Sequence, residues 1–181
     1  MLAVLAQRQV LGEAELEHEP AAVAYVCTSG SFIGGLAGEA ALVAAMVEAG
    51  APRAITTSGA VIAAAQALGI TKVAVVTPYD EAVGAKLRTY LSEAGVEVTG
   101  HTDMGLTGRI WTVPYEVTAD LARRTAQSGG DAVFVSCTNL PTYDLIASLE
   151  QELGVPVLTA NQVTMWAVLA AADVAAAGPG Q

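Results

Sequence analysis

The chain has 181 residues, of which 53% are hydrophobic and 14% charged, so it is long enough and apolar enough to bury a real core. Its 8 Lys and Arg residues against 18 Asp and Glu residues give a formal net charge of -10, which argues against a nucleic-acid partner and against an anionic membrane. Every apolar run is interrupted well before the roughly 18 residues of a spanning helix, no signal peptide is recognisable, and we expect a cytoplasmic protein.

Strand and helix patterns alternate along the chain, which predicts an α/β fold with mainly parallel sheets and right-handed crossovers. A first helix is predicted over residues 1–18. The predicted strands are 22–26, 54–57, 72–77, 96–99, 132–136 and 155–159. The later predicted helices are 36–49, 58–69, 81–94, 115–128, 142–153 and 162–177, with Ser58 as a helix cap, and residues 101–111 are predicted to be irregular.

The two cysteines, Cys27 and Cys137, each end a predicted strand and are each followed by threonine. Both are then followed by a helix, a Gly-Xaa-Pro turn, a short strand and an Ala-rich helix. This internal repeat predicts two copies of one α/β lobe that face each other. Ligands bind beyond the carboxyl ends of parallel strands, so the two thiols are expected on opposite walls of one cleft.

The two copies differ in front of the cysteine. About 65 residues separate Lys72 from Cys137, whereas 26 residues precede Cys27. We therefore expect that the first lobe, 1–71 with 160–181, lacks an opening strand and helix of about 40 residues, whereas the second lobe, 72–159, is whole. An incomplete lobe exposes a sheet edge, which favours a homo-oligomer such as a dimer.

Two opposed thiols can move protons without a cofactor. A thiolate removes a proton from a carbon acid while the other thiol delivers one to the opposite face. Alternatively, a thiolate adds to an activated double bond, and the adduct rotates and eliminates. Either route needs donors for the carboxylate and the developing enolate, and the candidates are Thr28, Ser29, Tyr79, Thr138 and Asn139. Neither a metal-ligand spacing nor a dinucleotide fingerprint occurs, so no metal or cofactor is expected.

Several short motifs occur together across essentially the whole chain. They are Cys27-Thr28-Ser29-Gly30-Ser31-Phe32, Thr77-Pro78-Tyr79, Ser136-Cys137-Thr138-Asn139-Leu140, Leu149-Glu150 with Gly154-Val155-Pro156-Val157-Leu158, and Asn161-Gln162. Their combination resembles the aspartate/glutamate racemase superfamily, in the branch of maleate cis-trans isomerases, arylmalonate decarboxylases and ectoine-utilisation proteins. The glycine-rich loop at 105–111 looks most like the ectoine-utilisation type.

The resemblance implies two pseudo-symmetric Rossmann-like lobes with parallel sheets, an active site between them and no cofactor. It also implies Cys27 and Cys137 as opposed catalysts, with Tyr79 on a substrate carboxylate. Superfamily members open with a strand ending in a Pro-Ser-x-Asn-Thr-like motif, which this chain lacks. Maleate isomerases carry an asparagine in the loop that here is 105–111, and arylmalonate decarboxylases have glycine in place of the first cysteine.

The leading hypothesis is a cofactor-independent isomerase or racemase of a small carboxylic acid that uses both cysteines. The alternative is a decarboxylase of the arylmalonate type, a lyase that needs only Cys137. A third reading is a non-catalytic ligand-binding or assembly protein.

Overall fold

Strands and helices alternate from residue 20 to residue 175, the range that the computed structural model describes. The strands are β1 (Val23–Tyr25), β2 (Ala54–Thr56), β3 (Lys72–Thr77), β4 (Glu97–Asp103), β5 (Ala132–Val135) and β6 (Val157–Thr159). The helices are α1 (Thr28–Phe32), α2 (Gly35–Glu48), α3 (Thr57–Leu68), α4 (Glu81–Glu93), α5 (Tyr115–Ala126), α6 (Ile146–Leu153) and α7 (Ala160–Ala171). Two short 3₁₀ helices, Ile110–Thr112 and Tyr143–Leu145, complete the order. The helix predicted over 1–18 lies outside the described residues.

The strands form two parallel sheets. One pairs β1 with β2, and the other has the order β4-β3-β5-β6. In the larger sheet, β3 and β5 are central and buried on both faces, with Val75, Val76 and Phe134 fully inside the core. Such continuous apolar strands are typical of parallel sheets that are covered on both sides by helices. The predicted α/β fold with parallel sheets is confirmed.

The prediction that residues 101–111 are irregular is wrong for its first part, because β4 continues to Asp103. A register shift opposite Val73 and Ala74 lets the polar end of β4 go on pairing with β3 as far as Thr77. The strand was not recognised in the sequence because the side chains of this segment are polar, and an edge strand need not be apolar on both faces.

The bounds of three helices also differ from the prediction, and the last of them, predicted over 162–177, runs from Ala160 to Ala171. Ser58 is not the cap of α3, because the side chain of Thr56 accepts the N–H of Gly59 at 3.0 Å. The helix predicted from 142 begins only at Ile146, after the 3₁₀ turn. The five-residue helix α1 was not predicted, since its sequence is rich in small polar residues and too short to show a helical period.

The parallel arrangement puts the carboxyl ends of neighbouring strands at one edge of each sheet. Cys27 follows β1, Cys137 lies two residues beyond β5, and Tyr79 lies two residues beyond β3. The hydroxyl of Thr138 donates to the carbonyl of Val26 at 3.4 Å, so the ends of β1 and β5 meet across the two sheets. Within the described residues, no helix combines the length and apolar character needed to cross a membrane.

Candidate active site

The backbone at Cys137 is in a conformation that favours glycine. Its φ is +88°, in the left-handed region that non-glycine residues rarely adopt. The N–H of Leu140 donates to the Cys137 carbonyl at 3.2 Å, and Asn161 Nδ2 donates to the Thr138 carbonyl at 2.9 Å. Strain of this kind persists only where the surroundings hold it, and it concentrates at functional sites.

The thiol of Cys137 is buried, and burial raises its pKa. The backbone N–H of Asn139 and the hydroxyl of Tyr79 oppose this by favouring the thiolate, whereas the nearby thiol of Cys27 raises the pKa of Cys137 further. The two cysteines are 110 positions apart in the sequence, and the contact of the Thr138 hydroxyl with the Val26 carbonyl brings the strand ends that carry them together.

Cys27 is half-buried and stands between β1 and α1. Its Sγ lies 3.9 Å from the hydroxyl oxygen of Ser29. The next carbonyl, that of Thr28, accepts the hydroxyls of Ser31 at 2.9 Å and of Ser58 at 3.1 Å. These buried hydrogen bonds fix the turn on which the first thiol stands.

Three buried hydroxyl groups cluster beside Cys137. The hydroxyl oxygens of Tyr79, Thr28 and Ser136 are inaccessible to solvent and have no hydrogen-bond partner of standard geometry among the described residues. Burial, followed by the charge of Cys137, raises the pKa of Tyr79 well above its usual range, while the hydroxyls of Ser136 and Thr28 oppose that rise. The Tyr79 ring is held edge-on to Phe32, with the ring centroids 6.0 Å apart. Because buried polar groups are normally paired, this cluster is suited to satisfy the oxygens of a bound ligand.

The structure places the other predicted site residues near the thiols but in different situations. Ser29 lies beside Cys27, and the hydroxyl of Thr138 is used in the contact between the two sheets. Asn139 contributes its backbone N–H to the Cys137 thiol, and its side chain is exposed. Ser136 was not predicted as a site residue. Its only signal was its place before Cys137, and β5 is buried on both faces, so alternation could not show which way Ser136 points.

A surface cavity of about 190 Å³ lies at the opposite end of β5 from Cys137. It includes Arg123, Gly130, Ala132 and Leu153 among its lining residues. Its one cation, Arg123, is already paired with Glu152 at 2.8 Å and with Asp120 at 2.8 Å. The one cation that lines the cavity is therefore already neutralised by two carboxylates.

Sequence comparisons with known proteins find two kinds of relative, arylmalonate decarboxylases and maleate isomerases. The family described as arylmalonate decarboxylase matches residues 5–181. The arylmalonate decarboxylase of Bordetella bronchiseptica is 36% identical over 165 residues, which cover 88% of this chain and 69% of that protein. A maleate isomerase of Nocardia farcinica is 30% identical over 176 residues, which cover 89% of this chain and 67% of that protein.

Solved structures agree with the fold. A crystal structure of a double mutant of arylmalonate decarboxylase in its liganded form superposes with a TM-score of 0.88 at 33% identity, covering 98% of this chain and 75% of that one. The Nocardia farcinica maleate isomerase bound to Tris superposes with a TM-score of 0.82 at 25% identity, covering 98% of this chain and 72% of that one.

Proposed function

This chain belongs to the arylmalonate decarboxylase family, and we propose that it is a cofactor-independent isomerase or racemase that moves a proton at the carbon beside a carboxylate of a small acid. The observation that supports this proposal is the pairing of two strand-end thiols, because the residues next to Cys27 and Cys137 meet where the Thr138 hydroxyl donates to the Val26 carbonyl at 3.4 Å. Two thiols near one reacting carbon supply both a base and an acid.

The unpartnered hydroxyls next to the thiols supply the second requirement of this chemistry. Removing a proton beside a carboxylate places charge on the carboxylate oxygens, and preorganised donors lower that barrier. The hydroxyls of Tyr79 and Thr28 are buried and have no hydrogen bond of standard geometry among the described residues, which supports a role as donors to such oxygens. We assign Tyr79, Thr28 and Ser29 to binding of the substrate carboxylate, together with Thr138 and Asn139 beside Cys137.

Decarboxylation is the second candidate. The family description and the 36% identical relative both favour it. It also fits the raised pKa of Cys137, because a thiol that is protonated at neutral pH can deliver a proton to the carbanion left after loss of carbon dioxide. In this reaction only Cys137 is needed.

Proton NMR in deuterated water distinguishes the two reactions. The panel contains maleate, aspartate, arylmalonates and ectoine-derived acids, and the variants are Cys27→Ser and Cys137→Ser. For the isomerase, we expect deuterium at the substrate carbon or a change of double-bond geometry, and a loss of at least about a hundredfold in rate for each variant because each removes a proton-transfer group.

Release of carbon dioxide with full activity of Cys27→Ser would instead establish the lyase. Circular dichroism of both variants serves as the control for folding. Full activity of both variants would contradict thiol chemistry altogether.

A further inference from the structure

A largely buried ion pair lies behind the turn that carries Tyr79. Arg88 Nη1 donates to Asp103 Oδ2 at 3.0 Å, and the two side chains are only 19% and 8% exposed. Burying two charges is costly unless their remaining hydrogen-bonding capacity is used. The other carboxylate oxygen of Asp103 accepts the hydroxyl of Thr77 at 2.8 Å.

The Thr77 hydroxyl links the carboxylate of Asp103 to the backbone of Tyr79. Its oxygen accepts the backbone N–H of Tyr79 at 3.1 Å. A threonine hydroxyl has one proton, and a carboxylate is a stronger acceptor than a neutral group. Asp103 therefore keeps that proton on its own side, which leaves a lone pair of Thr77 facing Tyr79.

Backbone hydrogen bonds from the segment after β4 also hold the turn at residues 77–79. Three successive N–H groups donate to the three carbonyls of the turn 77–79 at 2.8 to 2.9 Å, namely those of Met104, Gly105 and Leu106. Space for the carboxylate comes from α4, where a Cβ on Gly84 would stand 2.4 Å from Asp103 Oδ1. The segment is thus built around a carboxylate at this one position.

The acidic groups here do not form a cation site. Glu81, His101 and Asp103 each offer a ligand atom within 4.8 Å of the others. However, Arg88 donates to the carboxylates of both Glu81 and Asp103, so the positive charge that the acids need is already present.

We propose that Asp103 and Thr77 are positioning residues that fix the Tyr79 hydroxyl beside Cys137. Neither side chain is proposed to touch substrate. Both act through the backbone of Tyr79, and their catalytic effect rests on the proposed function of Tyr79 as a donor to the substrate carboxylate. The Tyr79 hydroxyl has no hydrogen bond of standard geometry among the described residues, so its position depends on the backbone that carries it.

The test is a double-mutant cycle with a matched control. Thr77→Val removes the hydroxyl at nearly constant shape, and we expect kcat/KM to fall about tenfold because the donor is misplaced. Thr77→Ser restores the hydroxyl and is expected to restore the rate. In the Tyr79→Phe background, Thr77→Val should cost less than about twofold, since the group it positions is gone.

Thr102→Val is the matched control, because Thr102 on β4 loses a hydroxyl contact of 2.7 Å to Thr125, whose own hydroxyl donates to the Leu121 carbonyl on α5 and not to the Tyr79 turn. It is expected to lower the melting temperature about as much as Thr77→Val but to leave kcat/KM unchanged. If Thr77→Val and Thr102→Val have equal effects on kcat/KM, or if Thr77→Val and Tyr79→Phe are fully additive, the proposal is wrong.

A second readout does not need turnover. In a Cys27→Ala background, the rate at which iodoacetamide alkylates Cys137 should change at least about threefold in Thr77→Val, in the same direction as in Tyr79→Phe, because the Tyr79 hydroxyl lies next to that thiol. Thr102→Val should leave the rate unchanged. If no acid in the panel is turned over, the proposed function fails, and the alkylation rates alone decide the positioning role. An unchanged alkylation rate in Thr77→Val overturns that role.

Discussion

Cys137 combines a strained backbone with a buried thiol in a single residue. A left-handed conformation at a non-glycine residue costs about 1–3 kcal/mol, and here it is held by Leu140 and Asn161. The backbone N–H of Asn139, two residues further on, favours the thiolate. This donor opposes the effect of burial, which is the larger of the two and leaves the pKa of Cys137 raised.

This balance predicts how the reactivity of Cys137 depends on pH. Burial raises the pKa of Cys137, so the thiol should be protonated at neutral pH in the ligand-free protein. In a Cys27→Ala variant, we expect its alkylation rate to rise about tenfold per pH unit from about pH 6 to 8, without a plateau below the pKa of about 8.5 of an ordinary cysteine. The measurement is iodoacetamide labelling followed by mass spectrometry.

Tyr79→Phe should slow this labelling at pH 8, because the Tyr79 hydroxyl lowers the pKa of Cys137 and its removal lets that pKa rise further. Tyr143→Phe, at a tyrosine that is 64% exposed, is the control and should have no effect. A plateau below about pH 7 would show that the thiol is ionised and would contradict the burial argument.

Side-chain hydrogen bonds of helix α7 link the loop after β5 to α3, the helix that follows β2. It begins with a capping box between Thr159 and Gln162, so its first turn is well defined. In that turn, Asn161 holds the Thr138 carbonyl, and further along the Thr164 hydroxyl contacts that of Thr57 on α3 at 3.1 Å. The position of the Cys137 loop thus depends on where α7 starts.

We therefore expect Asn161→Ala to reduce turnover more than stability. Loss of the amide donor frees the Thr138 carbonyl and should lower kcat about tenfold, because small misplacements of a reacting group are costly. The free energy of unfolding should fall by only about 1 kcal/mol. Met165→Ala, at an exposed position on the same helix, is the control. Steady-state rates and urea unfolding test this, and a loss of rate that merely follows the folded fraction would refute it.

At the level of elements, the sequence was informative where a residue ends an apolar strand. Cys27 and Cys137 were predicted from that signal and Tyr79 from the family resemblance, and the structure places Tyr79 and Cys27 near Cys137. Asp103 and Ser136 were missed for a physical reason. Asp103 lies in a polar edge strand, and its contacts with Arg88 and Thr77 join positions that are 15 and 26 residues apart, which no local pattern encodes.

At the scale of the whole molecule, the carboxylate of Glu39 links two helices that follow strands of different sheets, α2 after β1 and α4 after β3. Glu39 on α2 accepts the hydroxyl of Thr56 at 2.6 Å and the hydroxyl of Tyr90 on α4 at 3.3 Å. Tyr90 is fully buried, and burial followed by the charge of Glu39 raises its pKa. The division into lobes 1–71 with 160–181 and 72–159, and the homodimer, stay predictions.

If Glu39 couples the two sheets, removing it should destabilise the whole fold. Glu39→Ala leaves the buried Tyr90 hydroxyl without its partner and takes away one acceptor from Thr56, so we expect a loss of about 2–3 kcal/mol in the free energy of unfolding. The matched control is Glu152→Ala, which breaks the exposed pair with Arg123 and should cost at most about 1 kcal/mol. Urea unfolding followed by circular dichroism measures both. Equal losses in the two variants would mean that the Glu39 contact stabilises no more than a surface ion pair, and the coupling of the sheets would then rest on apolar packing and on other contacts such as that of Thr138 with the Val26 carbonyl.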